Sequence, residues 1–102
     1  MTAPMTEYNV TNMNGATKIT GNIGSWSAPD SITCDAYNVK QINVFSSGGN
    51  STLTFGFLDG TLVLPYGASY NIDLPMPISG VTITLSAIDV NTTLFYCIVG
   101  VI

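Results

Sequence analysis

The sequence predicts an all-β protein, an antiparallel β-sandwich or small jelly roll of about seven to eight strands. Apolar and polar residues alternate with a period of two along most of the chain, and no segment keeps a helical period. Turn residues separate the alternating segments at intervals of roughly ten residues. Because 102 residues is near the usual size of one domain, we expect a single core, with residues 1–8 as an N-terminal arm and residues 9–102 as the sandwich.

The clearest predicted strand covers residues 80–86. Three aliphatic side chains lie on one face of this strand and hydroxyl side chains lie on the other, which is typical of an antiparallel strand with one buried face. The same alternation predicts strands over residues 38–45 and 52–58.

Turn signals lie between these segments. Asn14-Gly15 and Asp59-Gly60 favour two-residue hairpins, in which both central positions need positive φ. Residues 65–67 and 75–77 contain proline and are predicted to be corners, because a central strand does not accommodate them. Residues 21–30 are predicted to form an irregular loop.

Residues 94–102 form the last predicted strand, and both of its faces are apolar. A two-layer sandwich covers only one face of each sheet. The second apolar face is therefore covered either by a loop such as residues 21–30 or by another subunit, and the sequence leaves both alternatives open. The side chains predicted to meet another subunit are Leu94, Tyr96, Ile98 and Ile102.

Composition limits the classes of function. Hydrophobic residues make up 46% of the chain and charged residues only 8%, against about 25% in an ordinary soluble protein. Such a surface does little to keep copies apart, so it indicates either a protein covered by partners or an extracellular β domain with a neutral surface. The net charge of −4, with two lysines and no Arg or His, excludes nucleic-acid binding and polybasic membrane contact, because both need a positive surface.

Catalytic and metal-binding patterns are absent from the sequence. Without His there is no Ser-His-Asp or Cys-His pair, and the acidic residues are scattered rather than paired. Two cysteines cannot complete a zinc site, and no calcium loop is present. We therefore expect no enzymatic activity, no cofactor and no metal site. Cys34 and Cys97 could form one disulfide at most. Because the N-terminus has no signal-peptide pattern and the cytosol is reducing, we favour reduced, buried thiols over a disulfide.

Several aromatic and terminal residues are candidate contacts with other proteins. Trp26 is predicted to lie in a loop, where it either anchors a partner or caps one end of the core. Tyr66 and Tyr70 flank a Gly-Ala turn and form a second candidate patch. Met1 and Met5 belong to the N-terminal arm, which we expect to lie over a neighbouring chain.

Three segments carry a resemblance to a known class of proteins: residues 50–57, residues 64–70 and the strand at 80–86. Together with the Met-initiated N-terminus, they resemble the small β-sandwich structural proteins of bacteriophage particles, in particular capsid decoration (cement) proteins. The resemblance implies a virion protein that is made in the host cytoplasm and binds the major capsid protein or another virion protein. It also implies a homo-oligomer, with a trimer favoured.

A second hypothesis is a carbohydrate- or receptor-binding β-sandwich module of a tail fibre or spike. In this hypothesis Trp26, Tyr66 and Tyr70 stack against sugar rings. The sequence leaves open whether the three rings converge.

Overall fold

A computed structural model describes residues 6–11 and 18–102, with side chains from Ile19 onward. Within these ranges the chain contains nine β-strands and no helix, so the predicted all-β class is confirmed. All strand pairs are antiparallel. The strands are β1 (Thr6–Thr11), β2 (Lys18–Trp26), β3 (Asp30–Cys34), β4 (Asn38–Ser47), β5 (Ser51–Phe55), β6 (Leu62–Leu64), β7 (Ser69–Ile78), β8 (Val81–Ile88) and β9 (Thr93–Val101).

The strands form two sheets. The front sheet has five strands in the order β1-β2-β9-β4-β7, and the back sheet has four in the order β3-β8-β5-β6. β2 pairs with β9, β3 with β8, β4 with β7 and β5 with β6. The chain from β2 to β9 is therefore one long hairpin folded over on itself. Its strand pairs alternate between the front sheet and the back sheet. This is the strand order of an eight-stranded jelly roll, with β1 added at one edge of the front sheet.

The core lies between the sheets and follows from the period-two pattern. Ile42 is the register partner of Ile98 in the front sheet, and Leu53 is the partner of Leu85 in the back sheet. These four side chains are at most 1% exposed. Because partners in an antiparallel pair share a face, each aliphatic pair fixes which side of its strands points inward.

The predicted corner at residues 65–67 is confirmed. The Ala68 N–H donates to the Pro65 carbonyl at 3.0 Å, and Gly67 adopts φ +73°, which glycine accepts without steric cost. The Gly67 N–H and the Ser46 carbonyl are 2.8 Å apart, so the corner is tied to the end of β4.

Other turn predictions need correction. The hairpin between β5 and β6 forms, but β5 ends at Phe55 and residues 56–61 form a longer loop in place of a two-residue turn. The reason is local: the Leu58 N–H donates to the Phe55 carbonyl and closes a turn before Asp59 is reached. The second corner, at residues 75–77, is part of β7. This is an edge strand, where proline does not interrupt a ladder on both sides.

The predicted loop at residues 21–30 is also wrong, because residues 21–26 belong to β2. The pattern of β2 is inverted with respect to an ordinary strand. Thr20 and Asn22 point inward and are buried, whereas Ile23 points outward and is exposed. Because these buried positions are polar, the strand does not show the alternation by which the other strands were predicted.

The N-terminal region is only partly described. Residues 6–8, assigned by sequence to an arm, belong to β1, which pairs with the start of β2. The two strands pair with each other as predicted, while the predicted two-residue turn, Asn14-Gly15, lies outside the described residues. Met1 and Met5 also lie outside them.

Candidate functional site

β9 has one face in the core and one face outward. Leu94, Tyr96 and Ile98 are 0%, 4% and 0% exposed, so they pack inside the chain's own sandwich. The prediction that these three meet another subunit is therefore wrong in this fold. The physical reason is register, because Ile98 lies opposite the buried Ile42 and fixes the inward side of β9. Ile102 follows β9 and remains exposed.

Trp26 also belongs to the core. Its side chain is buried, and its ring centroid lies 4.7 Å from that of Tyr96. Of the two sequence hypotheses for Trp26, capping the core is the one that holds. Tyr96 in turn lies over Gly24, where a Cβ atom would be only 2.4 Å from the tyrosine hydroxyl.

The outward side of the front sheet, here called the front face, has an apolar half on β2, β9 and the end of β4. Phe45 and Phe95 are register partners on neighbouring strands, and their rings stack with centroids 6.3 Å apart. Ile23 is the partner of Cys97. The side chains of Ile23, Phe45 and Phe95 are 46%, 40% and 48% exposed. Cys97 and Val99, on the same outward side of β9, are half-buried.

The other half of the front face is a ladder of amides across β4 and β7. Gln41 Nε2 donates to Asp73 Oδ1 at 2.8 Å, and Asn43 Nδ2 donates to Gln41 Oε1 at 3.1 Å. Asn71 Nδ2 donates to Asn43 Oδ1. Because each amide hydrogen-bonds its neighbour, covering this amide ladder leaves few polar groups unsatisfied.

A shallow cavity of about 350 Å³ lies where the two halves meet. None of the residues that line it, all in the described part of the chain, carries a charge. It therefore suits an uncharged occupant. The outward side chains that line it are Ile23, Phe45, Phe95, Cys97, Asn43, Asn71 and Ser69.

The outward side of the back sheet differs in chemistry. It carries mainly hydroxyl side chains, among which Thr33 Oγ1 and Thr82 Oγ1 lie 3.1 Å apart. Val63, on the edge strand β6, is its exposed apolar residue in the described chain. The front face is thus the more apolar of the two outer surfaces.

Tyr66 and Tyr70 are both exposed, Tyr66 at the corner before β7 and Tyr70 within it. Tyr70 borders the front-face cavity and also a smaller one of about 190 Å³ beside the loop at residues 56–61. Because Trp26 is buried, the predicted platform of three exposed rings does not form.

The two cysteines have different surroundings. Cys34 is buried in the back sheet, as predicted, whereas Cys97 lies on the front face and is only half-buried, so its predicted burial is wrong. Burial raises the pKa of the Cys34 thiol above its ordinary value of 9.0, against a smaller lowering by a hydrogen bond with Tyr37.

This pKa shift predicts a loss of stability at alkaline pH. The neutral thiol is favoured in the fold, so its contribution is fully present below pH 9.0 and is lost as the pH rises through the higher folded-state value. We expect the free energy of unfolding to fall more steeply above pH 9 in the natural protein than in Cys34→Val. Urea titrations at several pH values measure this, and parallel curves would contradict it.

Other kinds of site find no support in the described chain. Residues 6–11 and 18–102 contain no cluster of three His, Cys, Asp or Glu side chains placed to hold a metal ion. In the same ranges no helix is long and apolar enough to cross a membrane. Comparison with known proteins adds no identity: no family model matches the chain, and no curated protein is significantly similar to it.

Proposed function

We propose that this protein is a non-catalytic structural protein of a bacteriophage particle, of the capsid decoration type, and that it acts by burying its front face against another chain of the particle. The observation that carries the proposal is the front face itself. Phe45 and Phe95 stand side by side on its apolar half, 40% and 48% exposed, where an isolated chain would be expected to carry polar residues.

Physical chemistry supports contact with protein at this surface. Contiguous exposed apolar patches of several hundred Å² on a folded chain mark interaction sites. The apolar half gains free energy when it leaves water, and the adjoining amide ladder is already hydrogen-bonded, so its desolvation costs little. The jelly-roll strand order is shared by viral capsid and lectin domains, which is an analogy at the level of the fold alone.

We expect Phe95→Asp to lose binding to phage particles stripped of this protein, because the variant would bury a charge without a partner. Val63→Asp is the matched control, since Val63 is similarly exposed but lies on the back sheet. Occupancy is measured by co-sedimentation with particles, after circular dichroism shows that both variants fold. Full occupancy by Phe95→Asp would refute the proposal.

The cavity favours a second candidate function, the binding of a neutral carbohydrate. A sugar could place its apolar C–H face on the Phe95 ring and its hydroxyl groups near Asn43 and Asn71, all of which line the cavity. A glycan array tests this function. Binding that is lost in Phe95→Ala but kept in Val63→Ala would favour it, and an array without signal would count against it.

A further inference from the structure

We infer that the chain covering the front face is a second copy of this protein, packed front face to front face about a two-fold axis as a closed dimer, in place of the trimer that the resemblance implies. The inference rests on the proposed function, because it names the partner of the same surface. Four properties of the front face support it: its area, the distribution of charge around it, the chemistry of its side chains and the position of β9 within the sheet.

The area of the front face suits one standard interface. β4 has ten residues and β9 has nine. At about 3.3 Å per residue and about 4.8 Å between strands, the four strands β2, β9, β4 and β7 offer a face of roughly 30 by 20 Å, or about 600 Å² in projection. A stable interface buries about 800 Å² of accessible surface on each partner, and accessible area exceeds projected area for a surface with protruding side chains. One front face packed on another therefore offers enough area for a stable dimer interface.

The charges favour this approach over others. Each copy has a net charge of −4, so two copies repel one another wherever their acidic residues meet. Asp35, Asp59 and Asp89 lie in connections between strands. On the front face, within the described residues, Asp73 is the one charged side chain that takes part in the amide ladder, and it stands on the edge strand β7. Front-to-front packing thus keeps like charges away from the centre.

The chemistry of the front face is self-complementary. In an isologous contact the same patch of both copies meets across the two-fold axis. Each side chain near the axis must therefore pack favourably against a side chain of the same type. Aromatic and aliphatic side chains do so, and amides do so as well because each carries both donors and an acceptor. Two sheets pack about 10 Å apart with their strands within about 30° of each other, a geometry open to two copies of one sheet face.

The proposed dimer places the middle of the front sheet at the centre of the contact. β9 is the middle strand of the front sheet, and Cys97 is the middle residue of β9. A two-fold axis in the contact plane above this point brings Cys97 of one copy opposite Cys97 of the other. It also brings the two Phe45–Phe95 pairs close to the axis.

Light scattering and sedimentation test the dimer. The natural chain is expected to have about twice the 10.8 kDa mass of one copy, and Phe95→Asp is expected to weaken the dimer at least roughly a hundredfold. Val63→Asp should remain dimeric. Ile23→Asp serves as a second front-face variant in case Phe95→Asp fails to fold. A natural chain that stays monomeric, or that forms a trimer, overturns the inference.

Thiol chemistry supplies a second readout. In the dimer Cys97 is shielded, so its alkylation by a maleimide should be slower in concentrated than in dilute protein and fastest in Phe95→Asp. Cys97→Ser should remove this signal, and Cys34→Ser should keep it because Cys34 is buried within the chain. An alkylation rate that does not depend on protein concentration would contradict the dimer. Shielding of Cys97 that appears only when a glycan is added would contradict it as well.

Failure of the dimer and failure of the proposed function are distinguishable. If the natural chain is monomeric yet Phe95→Asp loses particle binding, the self-association is wrong and the structural role stands. If the chain is dimeric and monomeric Phe95→Asp still occupies particles fully, the dimer stands and the structural role through this face falls.

Discussion

Replacing Ile98 by alanine is expected to lower the free energy of unfolding by about 2–5 kcal/mol. Ile98 is fully buried on β9, the middle strand of the front sheet, and lies opposite Ile42 on β4. Truncation removes apolar contacts and leaves a cavity that the rigid ladder on both sides of β9 cannot close. Because a domain of this size is stable by only about 5–15 kcal/mol, the loss is a large part of the total. Urea denaturation measures it.

Phe95→Ala is the control for Ile98→Ala on the same strand. Its side chain points outward, so its loss should cost less than about 1 kcal/mol when measured on dilute, monomeric protein. The comparison tests the orientation of β9 directly. A larger loss from Phe95→Ala than from Ile98→Ala would mean that the strand faces the other way and that the sequence-based interface residues were right.

Gly100→Ala is expected to destabilise the protein by about 1–3 kcal/mol through overpacking. A Cβ at this position would lie 2.1 Å from Tyr37 Cδ2 and 2.6 Å from the Asn38 carbonyl oxygen. The carbonyl belongs to the backbone and cannot rotate away. The aromatic ring is held as well, because the Tyr37 hydroxyl donates a buried hydrogen bond of 2.6 Å to Asn22 Oδ1. Relief of the clash therefore costs either a strand shift or a buried polar contact.

Gly56→Ala is the matched control for Gly100→Ala. A Cβ at Gly56 would meet its nearest neighbours at 3.5–3.6 Å, which is ordinary van der Waals contact. Thermal or urea unfolding should show a change of less than about 1 kcal/mol for Gly56→Ala. Equal effects of the two substitutions would show that the cost comes from losing glycine rather than from the Tyr37 ring.

Most strands could be predicted from the sequence because their alternation agrees with their burial. The strand predicted at residues 80–86 corresponds to β8, and the strand at 38–45 lies within β4. β2 was missed because its inward residues include the polar Thr20 and Asn22, which are both buried, and Asn22 accepts a hydrogen bond from the Tyr37 hydroxyl. The burial of these polar side chains depends on contacts with other parts of the chain, which the local sequence does not show.

The contact surface was harder to predict than the fold. Both faces of β9 are apolar, so local sequence cannot decide which one is inward; the register with Ile42 on β4 decides it. Trp26 posed the same problem, since its burial depends on Tyr96, seventy residues further along the chain. The sequence predicted that the sandwich has an apolar outer face, but it did not predict which residues form that face.

The two prolines of β7 have a consequence for how many copies can join. An exposed sheet edge normally invites a further strand, which allows open-ended fibres to grow. Pro75 and Pro77 lack the N–H groups that such a strand would need along this margin. Lateral addition along this part of the margin is therefore disfavoured. A symmetric pair formed across the broad side of the sheet is closed, because each copy then covers the surface that a third copy would need.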